Sequence, residues 1–130
     1  MNPITTLVAR ILLALLFIMA GIGKLSDVQS FTGYLVSGGL PAILAWPSIL
    51  LEIVGGIAIL VGYQTRITAP ALAAFSVAAA VLYHFDPSNQ LEMAMFMKNF
   101  AIAGGFLLLT VSGAGAYSID AKTNGGRAAV

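Results

Sequence analysis

The sequence predicts an all-α fold, a four-transmembrane-helix bundle with a short interfacial helix in the first outer loop. Three observations carry this. Of 130 residues, 59% are hydrophobic and 8% charged, against roughly 25% charged in soluble domains, and the mean hydropathy is +0.97. Four apolar runs each approach the about 20 residues that a hydrocarbon core of about 30 Å demands. The few charges fall mostly near the ends of those runs, with Glu52 as the exception that needs explaining.

Span one runs from about Ile4 to Leu25, interrupted by Arg10 and closed by Lys24. A signal peptide with a small-residue site near Ile18-Met-Ala20 is the competing reading. No basic side chain precedes Arg10 and three spans follow, so an uncleaved helix is expected. Span two runs from Ile43 or Pro47 to Gly62, span three from Ile67 to Tyr83, and span four from Leu91 to Ser112. In the first loop, residues 26–39, Val28, Phe31 and Leu35 recur at helical spacing, Ser26 and Gln29 are placed like a capping box, and Gly38-Gly39 reads as a stop. Asn89 as N-cap with Glu92 opens span four. Pro70 falls early enough in span three to be tolerated. Residues 1–120 form one membrane domain and 121–130 a polar tail, expected to be loose from Lys122 onward.

An even number of spans puts both termini and the Tyr63–Arg66 turn on one face. That face holds Arg10, Arg66, Lys122 and Arg127 against Lys24 and Lys98 on the other. The positive-inside rule then gives a multi-pass protein of a bacterial inner membrane with cytoplasmic N- and C-termini. Trp46, Tyr34, Tyr83 and Phe85 are expected as aromatic anchors at the outer boundary, Tyr63 and Tyr117 at the inner one. Gly21, Gly23, Gly55, Gly56, Ala69, Ala73, Ala74, Ala101, Gly104 and Gly105 are positions where helices can approach closely, packing being the force available between helices in lipid.

Composition excludes several functions. A net charge of +1 argues against a nucleic-acid partner. Without cysteine, disulfides, thiolate zinc and iron–sulfur ligation are impossible within the chain, and a single histidine, His84, rules out bis-histidine haem. Met93, Met95 and Met97 alternate, but only Met93 and Met97 share a helix face, so they read as gap-fillers rather than Cu(I) ligands. No metal site is expected.

The chemistry therefore rests on charges inside the membrane. Glu52 lies roughly 8 to 14 Å below the outer end of span two and Lys98 about 10 Å below that of span four; Arg10 sits about 9 Å above the inner face. A lone ionised carboxylate in hydrocarbon either pairs or takes up a proton. Matching depths predict that Glu52 meets Lys98, with Arg10 reaching it from below. One outcome is an ion pair that fixes helix register. The other is a polar pocket for a carbonyl or quinone head group, with Lys98, Asn99 and His84 as donors and Glu52 as proton acceptor. Arg10 and Lys24 join His84 and Asn99 as candidate ligand-binding residues, with Glu52 and Lys98 as candidate catalytic ones.

The ordered set Arg10, Phe17, Gly21, Lys24, then Glu52, Gly55-Gly56, Gly62, Thr65-Arg66, then His84, Lys98-Asn99, Gly104-Gly105, and finally Gly113-x-Gly115 with Ser118-x-Asp120, resembles the DoxX family over about residues 8–120. The resemblance implies a small four-helix bacterial inner-membrane protein, related to the quinone-reducing subunit of thiosulfate:quinone oxidoreductase and to membrane oxidoreductase complexes of oxidative-stress defence. Arg10, Lys24, Glu52, Arg66, His84, Lys98 and Asn99 match the family's polar positions.

The expected function is a membrane subunit that binds a quinone or similar lipophilic redox molecule and supports an oxidoreductase. Whether the chain is itself an enzyme stays open. No tightly bound cofactor is expected, a quinone being the candidate ligand, and the partners are the lipid membrane, a redox protein and further copies of the chain in a homo-oligomer. The alternative is a non-catalytic membrane scaffold or small-molecule permeation protein whose ion pairs are structural.

Overall fold

The computed structural model describes residues 2–123. Helix α1 (Pro3–Leu25) starts where Asn2 Oδ1 accepts the Ile4 and Thr5 N–H groups at 2.8 and 3.2 Å, with Pro3 in the first turn where its missing N–H costs nothing. The interfacial helix α2 (Val28–Ser37) is present, but its cap differs from the expected capping box. Asp27, not Ser26, is the N-cap and accepts the Ser30 N–H at 3.0 Å; the Ser26 hydroxyl instead donates to the Gly23 carbonyl at the end of α1. With only Asp27 between α2 and the α1 C-cap Ser26, Ser26 belongs to the preceding helix. Gly39, at φ +96°, ends α2 as the sequence suggested.

Helix α3 (Ala45–Val61) is preceded by a 3₁₀ turn over Ala42–Leu44, so the span begins near Ile43 and Pro47 lies in its first turn. Gly62 closes α3 at φ +72° in a Schellman arrangement, with Tyr63 N–H on Ala58 O at 2.8 Å and Gly62 N–H on Ile59 O at 3.2 Å. Helix α4 (Thr65–Ala79) carries Pro70 inside it and continues as a π-helical turn over Ala80–His84, a widening that apolar patterning did not signal. Helix α5 (Gln90–Ser112) begins as expected, Asn89 Oδ1 accepting the Glu92 N–H. A short α6 (Ile119–Thr123) follows, so Lys122 is helical and the 120/121 boundary falls within an element; residues 124–130 of the tail lie outside the described residues.

All four long segments, counting α3 with its 3₁₀ turn and α4 with its π turn, are long and apolar enough to cross a membrane. The N-terminus of α1 and the C-terminus of α5 share one end of the bundle, here called the terminal end; α2 and the turn before α5 occupy the distal end. α1 lies along α3 and α4 along α5, and Phe17 joins the two pairs by edge contacts to Phe106 and Phe75 at ring-centroid distances of 5.4 and 6.3 Å. Small residues set the close approaches: Gly21 faces Ile53 and Glu52, Gly55 faces Leu72, and Gly56 faces Ile18 and Ala14. Gly23 and Gly104 face open space, so those two do not serve helix contact.

Candidate functional site

Direction of side chains decides which charges meet. Every Cα–Cβ bond of an α-helix tilts toward its N-terminus. Lys24, in the last turn of α1, therefore leans down into the bundle, while Glu52, on the antiparallel α3, leans up toward the distal end. They meet: Lys24 Nζ donates to Glu52 Oε1 and Oε2 at 2.7 and 2.9 Å, with the Glu52 side chain 3% exposed. The ammonium also lies 5.1 Å from the Phe31 ring centroid, on α2, in cation–π contact.

This corrects the expected constellation. Among the described residues, Glu52 is paired by Lys24, and neither Lys98 nor Arg10 touches it. The same tilt points Arg10 away, toward the terminal end; its Cα is 14 positions before Lys24, about 21 Å along the helix. There the buried guanidinium donates to four carbonyl contacts: Ala114 at 2.8 Å, Tyr117 at 3.0 and 2.8 Å, and Leu60 at 3.2 Å. Leu60 belongs to the last turn of α3, whose carbonyls have no intrahelical partner. Asp120 completes the clamp. Its carboxylate accepts the Gln64 and Thr65 N–H groups at 2.7 and 2.9 Å, capping α4 from α6, since Gln64 itself is left-handed at φ 50° and offers no side-chain cap. Gly62 is wedged here, where a Cβ would meet Ser118, Ala114 and the Arg10 guanidinium.

At the distal end α2 and all four long segments line a half-open cavity of about 340 Å³, within the size range of small-molecule sites. Five of the six residues expected in a site line it: Lys24, Glu52, His84, Lys98 and Asn99. Most of the remaining wall is apolar, including Leu16, Phe17, Phe75, Leu82 and Ile102. The matching depths of Glu52 and Lys98 thus put both on one cavity without pairing them. Lys98 Nζ contacts the Met95 thioether at 3.4 Å. His84 Nδ1 lies 3.0 Å from Glu92 Oε2, a partner the sequence reading did not assign. The signal was available, since the Asn89 cap puts Glu92 in the first turn of α5, and only five residues separate that helix from the π turn ending at His84.

Two aromatic residues expected as lipid anchors also line the cavity. Tyr34 and Tyr83 stack at 4.8 Å, and the Tyr83 hydroxyl donates to the Leu35 carbonyl at 2.8 Å, tying α2 to the end of α4. Burial, then the negative charge of Glu92 and the neighbouring Tyr83, push the Tyr34 phenol above its ordinary pKa. Among the described residues no three His, Cys, Asp or Glu side chains cluster as a metal site would need.

The fold and cavity define a class: an integral membrane four-helix protein with an ion pair and further polar side chains around a mainly apolar pocket at one end of the bundle. The chain belongs to the DoxX family, whose profile matches residues 5–85. It is 44% identical over 124 residues to inner membrane protein YqjF of Escherichia coli (strain K12), covering 95% of each chain. It is 33% identical over 128 residues to inner membrane protein YphA of the same organism, covering 93% of this chain and 91% of that one. No solved structure matches it.

Proposed function

We propose that this DoxX-family protein receives the head group of a quinone or similar lipophilic carbonyl compound in its distal cavity and supports a membrane oxidoreductase whose redox centre lies in another protein. The observation that carries this is the convergence of Lys24, Glu52, His84, Lys98 and Asn99 on one mainly apolar cavity. An apolar ring and tail fit such walls, and its oxygens need a few placed donors. Asn99 and Lys98 supply these, and Glu52, held by Lys24, is the group able to take up or release a proton at the buried side. Quinone reduction consumes two electrons and two protons; with no cysteine and one histidine the chain alone cannot ligate an iron–sulfur cluster or a bis-histidine haem, and the proposal assigns the electrons to a partner. Inner-membrane residence with the N- and C-termini in the cytoplasm completes the proposal, supported by the charge distribution along the sequence.

A second reading has one observation in its favour. Lys24 satisfies both oxygens of Glu52 without any ligand, as a register strut in a scaffold would. Purified protein titrated with a short-chain quinone separates the two. Saturable binding that weakens in Glu52→Gln, in a protein of unchanged helicity, supports the site; absence of binding in a folded wild-type protein leaves only the strut.

A further inference from the structure

The two ammonium groups on the cavity wall are not equivalent. Lys24 is neutralised by Glu52. The other distal acids are engaged as well: Glu92 by His84, Asp86 by the Ser88 N–H and hydroxyl, and Asp27 by Ser30. Lys98, by contrast, makes no ion pair among the described residues and donates only to the Met95 sulfur, a weak acceptor. Beside it, the Asn99 side-chain amide lines the same wall with no hydrogen-bond partner among the described residues. The cavity thus offers two ammonium groups against one carboxylate, with an unengaged donor next to the uncompensated charge.

Resting on the reading of this cavity as a binding site, we infer that it selects the anionic form of its ligand, a lipophilic oxyanion whose charged oxygen sits on Lys98 Nζ with Asn99 donating alongside. Hydrogen bonds to an ionised oxygen are roughly twice as strong as neutral ones. The mainly apolar lining strengthens them on the cavity side, Lys98 itself being exposed at its mouth. The apolar walls demand that the anion be carried on a ring or chain. A neutral carbonyl compound uses the same donors and leaves the Lys98 charge unmatched.

The experiment uses the full chain in zwitterionic lipid nanodiscs at neutral pH, with empty discs subtracting partition into lipid. Three probes of similar size are titrated calorimetrically: neutral 1,4-naphthoquinone, 2-hydroxy-1,4-naphthoquinone, which is ionised at this pH, and 2-naphthoate, an anion that is not a quinone. The ionised hydroxyquinone is expected to bind at least about tenfold tighter than the neutral quinone. That preference should collapse to within about twofold in both Lys98→Met and Lys98→Gln, checked for native helicity, and survive in Glu92→Gln. Equal affinity for the two quinones overturns the anion selection and leaves the quinone site standing. Lys98-dependent binding of 2-naphthoate with no binding of either quinone supports the anion selection and rejects the quinone. Anion binding that ignores the Lys98 variants overturns the assignment to Lys98.

Discussion

Lys24 and Glu52, 28 positions apart in sequence, meet through two hydrogen bonds of 2.7 and 2.9 Å because antiparallel helices tilt their side chains toward one another at this level. Removing one partner strands the other. Lys24→Met, which leaves the buried Glu52 carboxylate alone, is expected to destabilise the protein by about 3 kcal/mol and Glu52→Leu, which leaves a part-exposed ammonium, by less, while the double variant recovers most of the larger loss, since an apolar pair of similar volume replaces the ion pair at little cost. Thermal denaturation in detergent of the four proteins measures the coupling. Additive losses would show that the pair contributes nothing as a pair.

At the terminal end, Asp120→Ala removes the acceptor for the Gln64 and Thr65 N–H groups and the negative charge nearest Arg10. A loss of about 1 to 2 kcal/mol follows from an absent helix cap, together with faster proteolysis near α6. Ligand affinity at the distal cavity should stay within about twofold, because distant sites act independently.

Glycines at contacts and glycines in open space should behave oppositely. A Cβ on Gly21 falls 2.5 Å from Ile53 Cγ1 and 3.3 Å from Glu52 Cβ, so Gly21→Ala forces α1 from α3 at a cost of about 1 to 3 kcal/mol. Nothing stands within 4 Å of a Cβ on Gly104, so Gly104→Ala gains about 0.5 to 1 kcal/mol from helix preference. Comparing their melting temperatures decides the matter.

The α2 cap gives an acid-sensitive step. Hydrogen bonds from the Ser30 hydroxyl and N–H hold the exposed Asp27 carboxyl below its ordinary range. A depressed folded-state pKa stabilises above the unfolded value and loses that stabilisation as pH falls through the folded one. Stability should therefore drop below about pH 4, and Asp27→Asn, which still caps, should flatten that part of the profile. Melting temperature against pH for both proteins is the measurement.

Membrane orientation is open to a direct assay, because the chain has no cysteine to remove. With the distal turn facing outward, Ser88→Cys reacts with a membrane-impermeant maleimide in intact cells, and Thr123→Cys reacts only after lysis. The reverse pattern refutes the cytoplasmic placement of the terminal end.

Taken alone, the sequence determined the four spans, the interfacial helix between Lys24 and Gly39, the Asn89 cap and five residues of the cavity. Hydropathy and capping are local properties that add up along a chain, and a bilayer imposes one length on every crossing. It also matched Glu52 and Lys98 in depth, because rise per residue is constant. Tertiary structure alone decided that Lys24 is the partner of Glu52, that Arg10 and Asp120 fasten the opposite end, and that Tyr34 and Tyr83 line the cavity. Depth says how far along its axis a residue lies, whereas pairing depends on how each helix is rotated and which neighbour it packs against, and those follow from contacts among residues far apart in the chain.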